Sequence, residues 1–195
     1  MKKIILASCS PRRKQLLEQA GLKILVVPSN IKEKPIQPEQ DPTAYTLGLA
    51  LAKAENVAKR FKKSIIIGAD TIVVSNNKVF GKPRNQNHAR KTLSSLSGQI
   101  QYIYTAIAII NPQTNQRIID IEKTTILTRK LSESQIKKLS ASNHDKAGAY
   151  AVQKDSDILV KEMKGDYYNV VGMPVKRLAK ILKTFSIKLN TRPFN

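Results

Sequence analysis

The 195-residue sequence predicts a mixed α/β fold, with residues 1–195 forming a single domain. Three observations carry that prediction. Strand-like and helix-like runs alternate from the first residue to about position 75. Two long β-rich runs, "QIQYIYTAIAII" and "QRIIDIEKTTILTR", are joined by the turn-forming "NPQTN". No internal repeat or low-complexity linker divides the chain.

The elements follow in order. "KKIILAS" reads as a first strand, and Ser10-Pro11 as an N-cap and first-turn proline opening a helix over 11–20. "LKILVVPS" is a second strand. Asp41-Pro42 opens a long helix whose apolar stripe is Leu47, Leu51, Ala54, Ala58 and Phe61. "SIIIGADTIVVSNN" is a buried strand, broken by a small Gly-Ala pair and closed by a turn at Asn76-Asn77. A short helix over 87–95 ends at Gly98, and the long hairpin follows. Ser132, with Gln135 three residues on, marks a capping box. "GAYAVQ" reads as a short strand, and Pro174 begins a final amphipathic helix.

Composition narrows the function classes. A hydrophobic content of 41% supports a folded globular protein with a sizeable core. The lone cysteine, Cys9, excludes an intramolecular disulfide and has no histidine motif that would make it a nucleophile. No run of ~18 apolar residues predicts a membrane span. The apolar run of "MKKIILASCS" is shorter than the ~7–15 residues of a secretory signal core. A cytoplasmic protein is expected. The net charge of +20 favours anionic partners, or else a lysine-rich solvated surface. Sparse aromatics (5%, no tryptophan) and no recognised nucleic-acid module argue against nucleic acid.

Several polar residues interrupt apolar context. Arg12, Arg13 and Lys14 occupy a first helical turn, where the helix dipole disfavours cations by ~0.3–1 kcal/mol each. A bound polyphosphate would reverse that penalty. Asp70 falls inside a buried strand, where a carboxylate pairs with a lysine, holds a metal or activates water. Gly68 and Ala69 leave room for a ligand or a second backbone. Lys82 lies in the loop "FGKP". Lys53 sits about 40° outside the long helix's apolar arc, where ordinary solvation is expected of it alone. Glu33 follows the second strand in a loop. Cations for phosphate and carboxylates for a divalent ion or a water together suit phosphoanhydride hydrolysis.

Ordered motifs span nearly the whole chain: "LASCSPRR" (6–13), Glu33, "LAKA" (51–54), "GADTIVV" (68–74), "GKP" (81–83), "LSG" (96–98), "KAGAYAVQ" (146–153) and "GDYYNVVGMPV" (165–175). On these the sequence resembles the Maf-like nucleoside triphosphate pyrophosphatases. The resemblance implies a two-lobed mixed α/β fold with an elongated twisted mixed sheet and a cleft between lobes, as in inosine triphosphatase-like proteins. It implies hydrolysis of a nucleoside triphosphate to monophosphate and pyrophosphate, a house-cleaning activity, with Mg²⁺ or Mn²⁺. By the same resemblance, Asp70 is the general base and a metal ligand, and Glu33 a second metal ligand. Ser10, Arg13, Lys53 and Lys82 then contact phosphate. Arg12, Thr71 and Gln153 match the dTTP/UTP subgroup, with CTP or modified pyrimidines as further candidates. The chain departs from the family pattern at Lys32, Gln101, Ala106 and Lys154. The competing reading is a non-enzymatic septum regulator or nucleic-acid binder. The oligomeric state stays open, a homodimer among the options.

Overall fold

The computed structural model describes residues 3–37, 40–141, 147–150 and 152–194. Parts of two expected elements, Met1–Lys2 and Ala151, and Lys146 of one motif, lie outside them. The chain forms β1 (Lys3–Leu6), α1 (Pro11–Gln19), β2 (Ile24–Val26), α2 (Pro42–Ala58), β3 (Ser64–Ser75) and β4 (Lys78–Phe80). It continues through α3 (Gln86–Leu96), β5 (Ile100–Asn111), β6 (Gln116–Thr128), α4 (Glu133–Ser140), α5 (Val152–Leu159), β7 (Val160–Lys164), α6 (Tyr167–Val171) and α7 (Val175–Thr184). Among the described residues no helix is long and apolar enough to cross a membrane.

The described strands make one mixed seven-stranded sheet in the order β2-β1-β3-β5-β6-β7, with β4 paired to β3. β1 lies parallel to both β2 and β3, with Ile5 opposite Leu25 on one side and Ile66 on the other. Parallel neighbours need crossover connections, which α1 and α2 supply. Consistent with that central place, β3 is buried along nearly its whole length.

The fold divides into two compact units. The first comprises Met1–Asp70, Thr105–Glu122 and Gly172–Asn195; the second, Thr71–Tyr104 and Lys123–Val171. The first unit's core is rich in small side chains, including Ala7, Ala50, Ala54, Ala106 and Ala108, beside Ile5 and Ile66. There α7 is fastened to β6 by Arg177, which donates to Asp120 at 2.7 Å and Glu122 at 2.6 Å. These bonds, Glu122 foremost, raise the pKa of Arg177. The second unit's core is bulkier, built on Leu93, Leu96, Ile103, Ile126, Leu139 and Tyr150.

Local signals hold where chemistry is local. Ser10 caps α1, Asp41 caps α2 with both carboxylate oxygens, and Ser132 and Gln135 form the expected capping box. Asn76 and Asn77 both adopt positive φ, 48° and 58°, the geometry of a tight β3–β4 hairpin.

Two expectations fail. The stripe of α2 is rotated: Thr46, Ala50, Lys53, Ala54 and Val57 are buried, while Leu47 and Leu51 are only partly so. The reason lies at Gly68 on β3. A Cβ built there would come within 2.9 Å of both the Ala54 Cβ and the Ala54 nitrogen, and closer still to the Ala50 carbonyl oxygen. Only small residues fit so close an approach, so alanines rather than leucines face the strand. The second failure is "GAYAVQ", which is not a strand. Ala147–Ala149 is a 3₁₀ turn with Gly148 and Ala149 at positive φ, and Gln153 stands in the first turn of α5. Val152 and Leu159, seven residues apart, give that helix its buried face.

Candidate active site

The close packing of α2 on β3 delivers two charged side chains to one another inside the first unit. Lys53 Nζ donates to Asp70 Oδ1 at 2.6 Å, and their side chains are only 11% and 10% exposed. The same ammonium meets Glu33 Oε1 at 2.8 Å, from a side chain that is half exposed. Lys53 is therefore not the solvated residue that its place on the helix, taken alone, suggests. Its burial follows from the rotated helix face, and burial of an ammonium requires anionic partners. The small Gly68 serves a second backbone, that of α2, as one of the two alternatives for "GAD" anticipated.

The loop carrying Glu33 is pinned from α2 as well. The hydroxyl of Tyr45 donates to the Lys34 carbonyl at 2.8 Å. Partial burial, then the charges of Asp70 and Glu33, raise the pKa of Tyr45 and keep it a neutral donor. Nothing in the sequence marked Tyr45, because its role depends on a loop contact eleven residues away.

The cations of α1 resolve differently from one another. Lys14 pairs with Glu18 one turn on, at 3.7 Å and in solvent. Arg13 turns inward: Nε donates to the Gly172 carbonyl at 2.8 Å, and Nη1 to the Ala69 carbonyl at 2.8 Å and to Ser8 Oγ at 3.1 Å. Burial lowers its pKa, Asp70 and Glu33 oppose that shift, and Arg12 adds to it. The guanidinium is thus fixed beside the backbone of the residue preceding Asp70. Ser8, Ala69 and Gly172 are its unforeseen partners, two of them through carbonyls that no side-chain pattern reveals. Ser10 uses its hydroxyl to accept from the Arg13 N–H at 3.5 Å.

The second unit holds Thr71, Lys82 and Gln153. Lys82 is exposed beyond β4, and Gln153 is exposed at the start of α5. Two segments meet here, since the Gly148 N–H donates to the Gly81 carbonyl at 3.3 Å. The backbone beside Lys82 is thereby tied to the turn that precedes Gln153.

Asp70 and Glu33 are hard oxygen donors that touch one ammonium, a donor chemistry of the kind Mg²⁺ or Mn²⁺ takes. No group of three metal-binding side chains occurs among the described residues.

Sequence comparison matches residues 3–185 to the family described as "Maf-like protein". A protein of Thermoanaerobacter pseudethanolicus named dTTP/UTP pyrophosphatase is 41% identical over 191 residues, 96% of this chain and 99% of that one. One of the same name from Bacillus cereus is 42% identical over 189 residues, 96% of this chain and 92% of its own. Among solved structures, the Ham1 protein of Staphylococcus aureus superposes with a TM-score of 0.52. That alignment covers 94% of this chain and all of the other, at 13% identity, and bears on fold alone.

Proposed function

The chain belongs to the family of Maf-like proteins, and from that premise we propose that it hydrolyses dTTP and UTP to the monophosphate and pyrophosphate. CTP and modified pyrimidine triphosphates are secondary substrates on the same reading. The observation that carries the chemistry is the buried Lys53–Asp70 pair with Glu33 on the same ammonium. An acid placed on a central strand and held by a cation is a positioned proton acceptor.

The reaction breaks the α–β phosphoanhydride bond. Water adds to the α-phosphorus, its proton passes to the Asp70 carboxylate, and the α–β bridging oxygen departs with pyrophosphate. Lys53 keeps the carboxylate oriented and supplies positive charge beside the phosphates. Arg13, held at three acceptors, adds charge that cannot drift. Arg12, Ser10 and Lys82 contact phosphate oxygens, and Thr71 lies next to the acid in the chain. Gln153 reads the base: its amide both donates and accepts, matching the N3–H and carbonyls of uracil or thymine. When bound with substrate, a divalent cation held by Asp70 and Glu33 would withdraw charge from the phosphoryl oxygens.

Pyrophosphate release by purified protein from a nucleotide panel with Mg²⁺ tests the reading. Turnover of dTTP and UTP ahead of purine triphosphates is expected, and Asp70→Asn should lower it by ~10²–10⁴-fold. Salt-sensitive duplex binding without any turnover would overturn the assignment in favour of a nucleic-acid-binding protein.

A further inference from the structure

One buried polar contact in the second unit lies outside the chemistry just described. Gln101 on β5 is completely buried and Tyr150 is 5% exposed, yet neither is apolar throughout. The Tyr150 hydroxyl donates to Gln101 Oε1 at 2.9 Å. Gln101 Nε2 has no hydrogen-bond partner among the described residues. A leucine would fill much the same space without leaving an amide nitrogen unsatisfied. The glutamine's contribution is directional: it fixes where the tyrosine ring stands.

What the ring supports is specific. Above it runs the 3₁₀ turn Ala147–Ala149, with Gly148 at φ +74° and Ala149 at φ +63°. Alanine rarely adopts that conformation, so the surroundings must hold it there. A Cβ at Gly148 would meet Tyr150 ring carbons at 2.9 and 3.3 Å and Val73 Cγ2 at 3.3 Å. The turn is therefore clamped between the ring and β3. From the same glycine, the backbone N–H reaches the Gly81 carbonyl, next to Lys82. Three residues beyond the tyrosine stands Gln153, at the start of α5. The ring that this hydroxyl anchors thus lies against the glycine that joins the Lys82 loop to the turn before Gln153.

We propose that Gln101 and Tyr150 are a positioning pair for nucleotide selection, setting the turn that registers the Lys82 loop and Gln153 against each other. The inference rests on the pyrimidine triphosphate reading for its catalytic consequence, but its structural part does not depend on that reading. Burial raises the pKa of Tyr150 far above the ordinary tyrosine value, so the hydroxyl remains a neutral donor throughout the working range.

The test uses Tyr150→Phe, which keeps the ring and removes only the donor, together with Gln101→Leu and the double variant. Each is measured for UTP and GTP kinetics and for hydrogen exchange at the Gly148 amide. The expected KM for UTP rises about tenfold in Tyr150→Phe, one hydrogen bond's worth, with kcat within about twofold. The preference for UTP over GTP should narrow, and exchange at Gly148 should quicken about tenfold while the core amide of Leu93 is unchanged. The double variant should be no worse than Tyr150→Phe, because one shared contact is lost only once. Unchanged KM, preference and Gly148 exchange in Tyr150→Phe would overturn the proposal, whatever the melting temperature does. Should the unmodified protein fail to hydrolyse pyrimidine triphosphates, the functional reading falls separately. Gly148 exchange then decides the positioning role alone, and Tyr150→Phe suffices if Gln101→Leu does not fold.

Discussion

Replacing Gly68 with alanine tests the link between packing and chemistry at one methyl group. The new Cβ would stand 2.9 Å from the Ala54 Cβ and nitrogen, where ordinary contact begins at 3.4 Å. The helix α2 must retreat by about half an ångström to clear Ala54, and further to clear the Ala50 carbonyl. Neither neighbour is a flexible side-chain end, so β3 and α2 must separate as backbones. Overpacking of this kind costs about 1–3 kcal/mol. The same retreat carries Lys53 away from Asp70 and stretches a 2.6 Å bond. Misplacing a catalytic group by an ångström can cost ~10²-fold in rate. Urea unfolding should show a lower midpoint at unchanged slope, and pyrophosphate release should fall more than stability alone explains. Gly48→Ala is the control, since the same helix offers that position open space within 4 Å. There alanine should be neutral or stabilise by up to about 1 kcal/mol. If Gly68→Ala matched Gly48→Ala in both assays, the close approach would not be what places Lys53.

Three further outcomes are expected. Lys53→Met leaves Asp70 buried without the ammonium it bonds, and should destabilise by about 3–5 kcal/mol; a loss below 1 kcal/mol in urea unfolding would contradict the buried pair. Lys82→Ala should cost ~2.7–4 kcal/mol of transition-state stabilisation, whereas Lys62→Ala, also exposed, should cost ~0–1; equal effects on kcat/KM would reduce the role of Lys82 to diffuse charge. Gln153→Glu should weaken dTTP and UTP hydrolysis more than that of GTP, because a carboxylate cannot donate to a pyrimidine carbonyl. An unchanged order of preference across the panel would remove Gln153 from base reading.

Local chemistry made much of the fold legible. Caps at Ser10, Asp41 and Ser132 each act within three residues, and the Asn76-Asn77 turn needs only its own dihedral preferences. The β-branched run of β3 announced a buried strand in the same way. The phase of α2 was not legible, because it depends on what Gly68 lacks on another element. Its place on the helix alone therefore suggests solvation for Lys53, while the family resemblance makes it a phosphate contact; its two carboxylate partners emerge only with the tertiary packing. The helix at Val152 was hidden for a different reason. An alternating "GAYAV" imitates a strand, and the positive φ of Ala149 ends that pattern without any residue-type signal. Arg13 was singled out by its place in a first turn, but its acceptors are carbonyls and carry no sequence signature.

The bond from Arg13 to the Gly172 carbonyl joins positions 159 residues apart, and the first unit needs Gly172–Asn195 to be whole. During synthesis, all of the second unit has been made once Val171 is added, while the first still lacks its last segment. Domains emerging from the ribosome fold as their residues become available. The guanidinium beside Ala69 therefore cannot acquire its full set of acceptors until Gly172 has been added. α7 follows at once, with Arg177 to lock it onto β6. A chain stopped before Gly172 would carry Asp70, Lys53 and Glu33 but no completed anchor for Arg13.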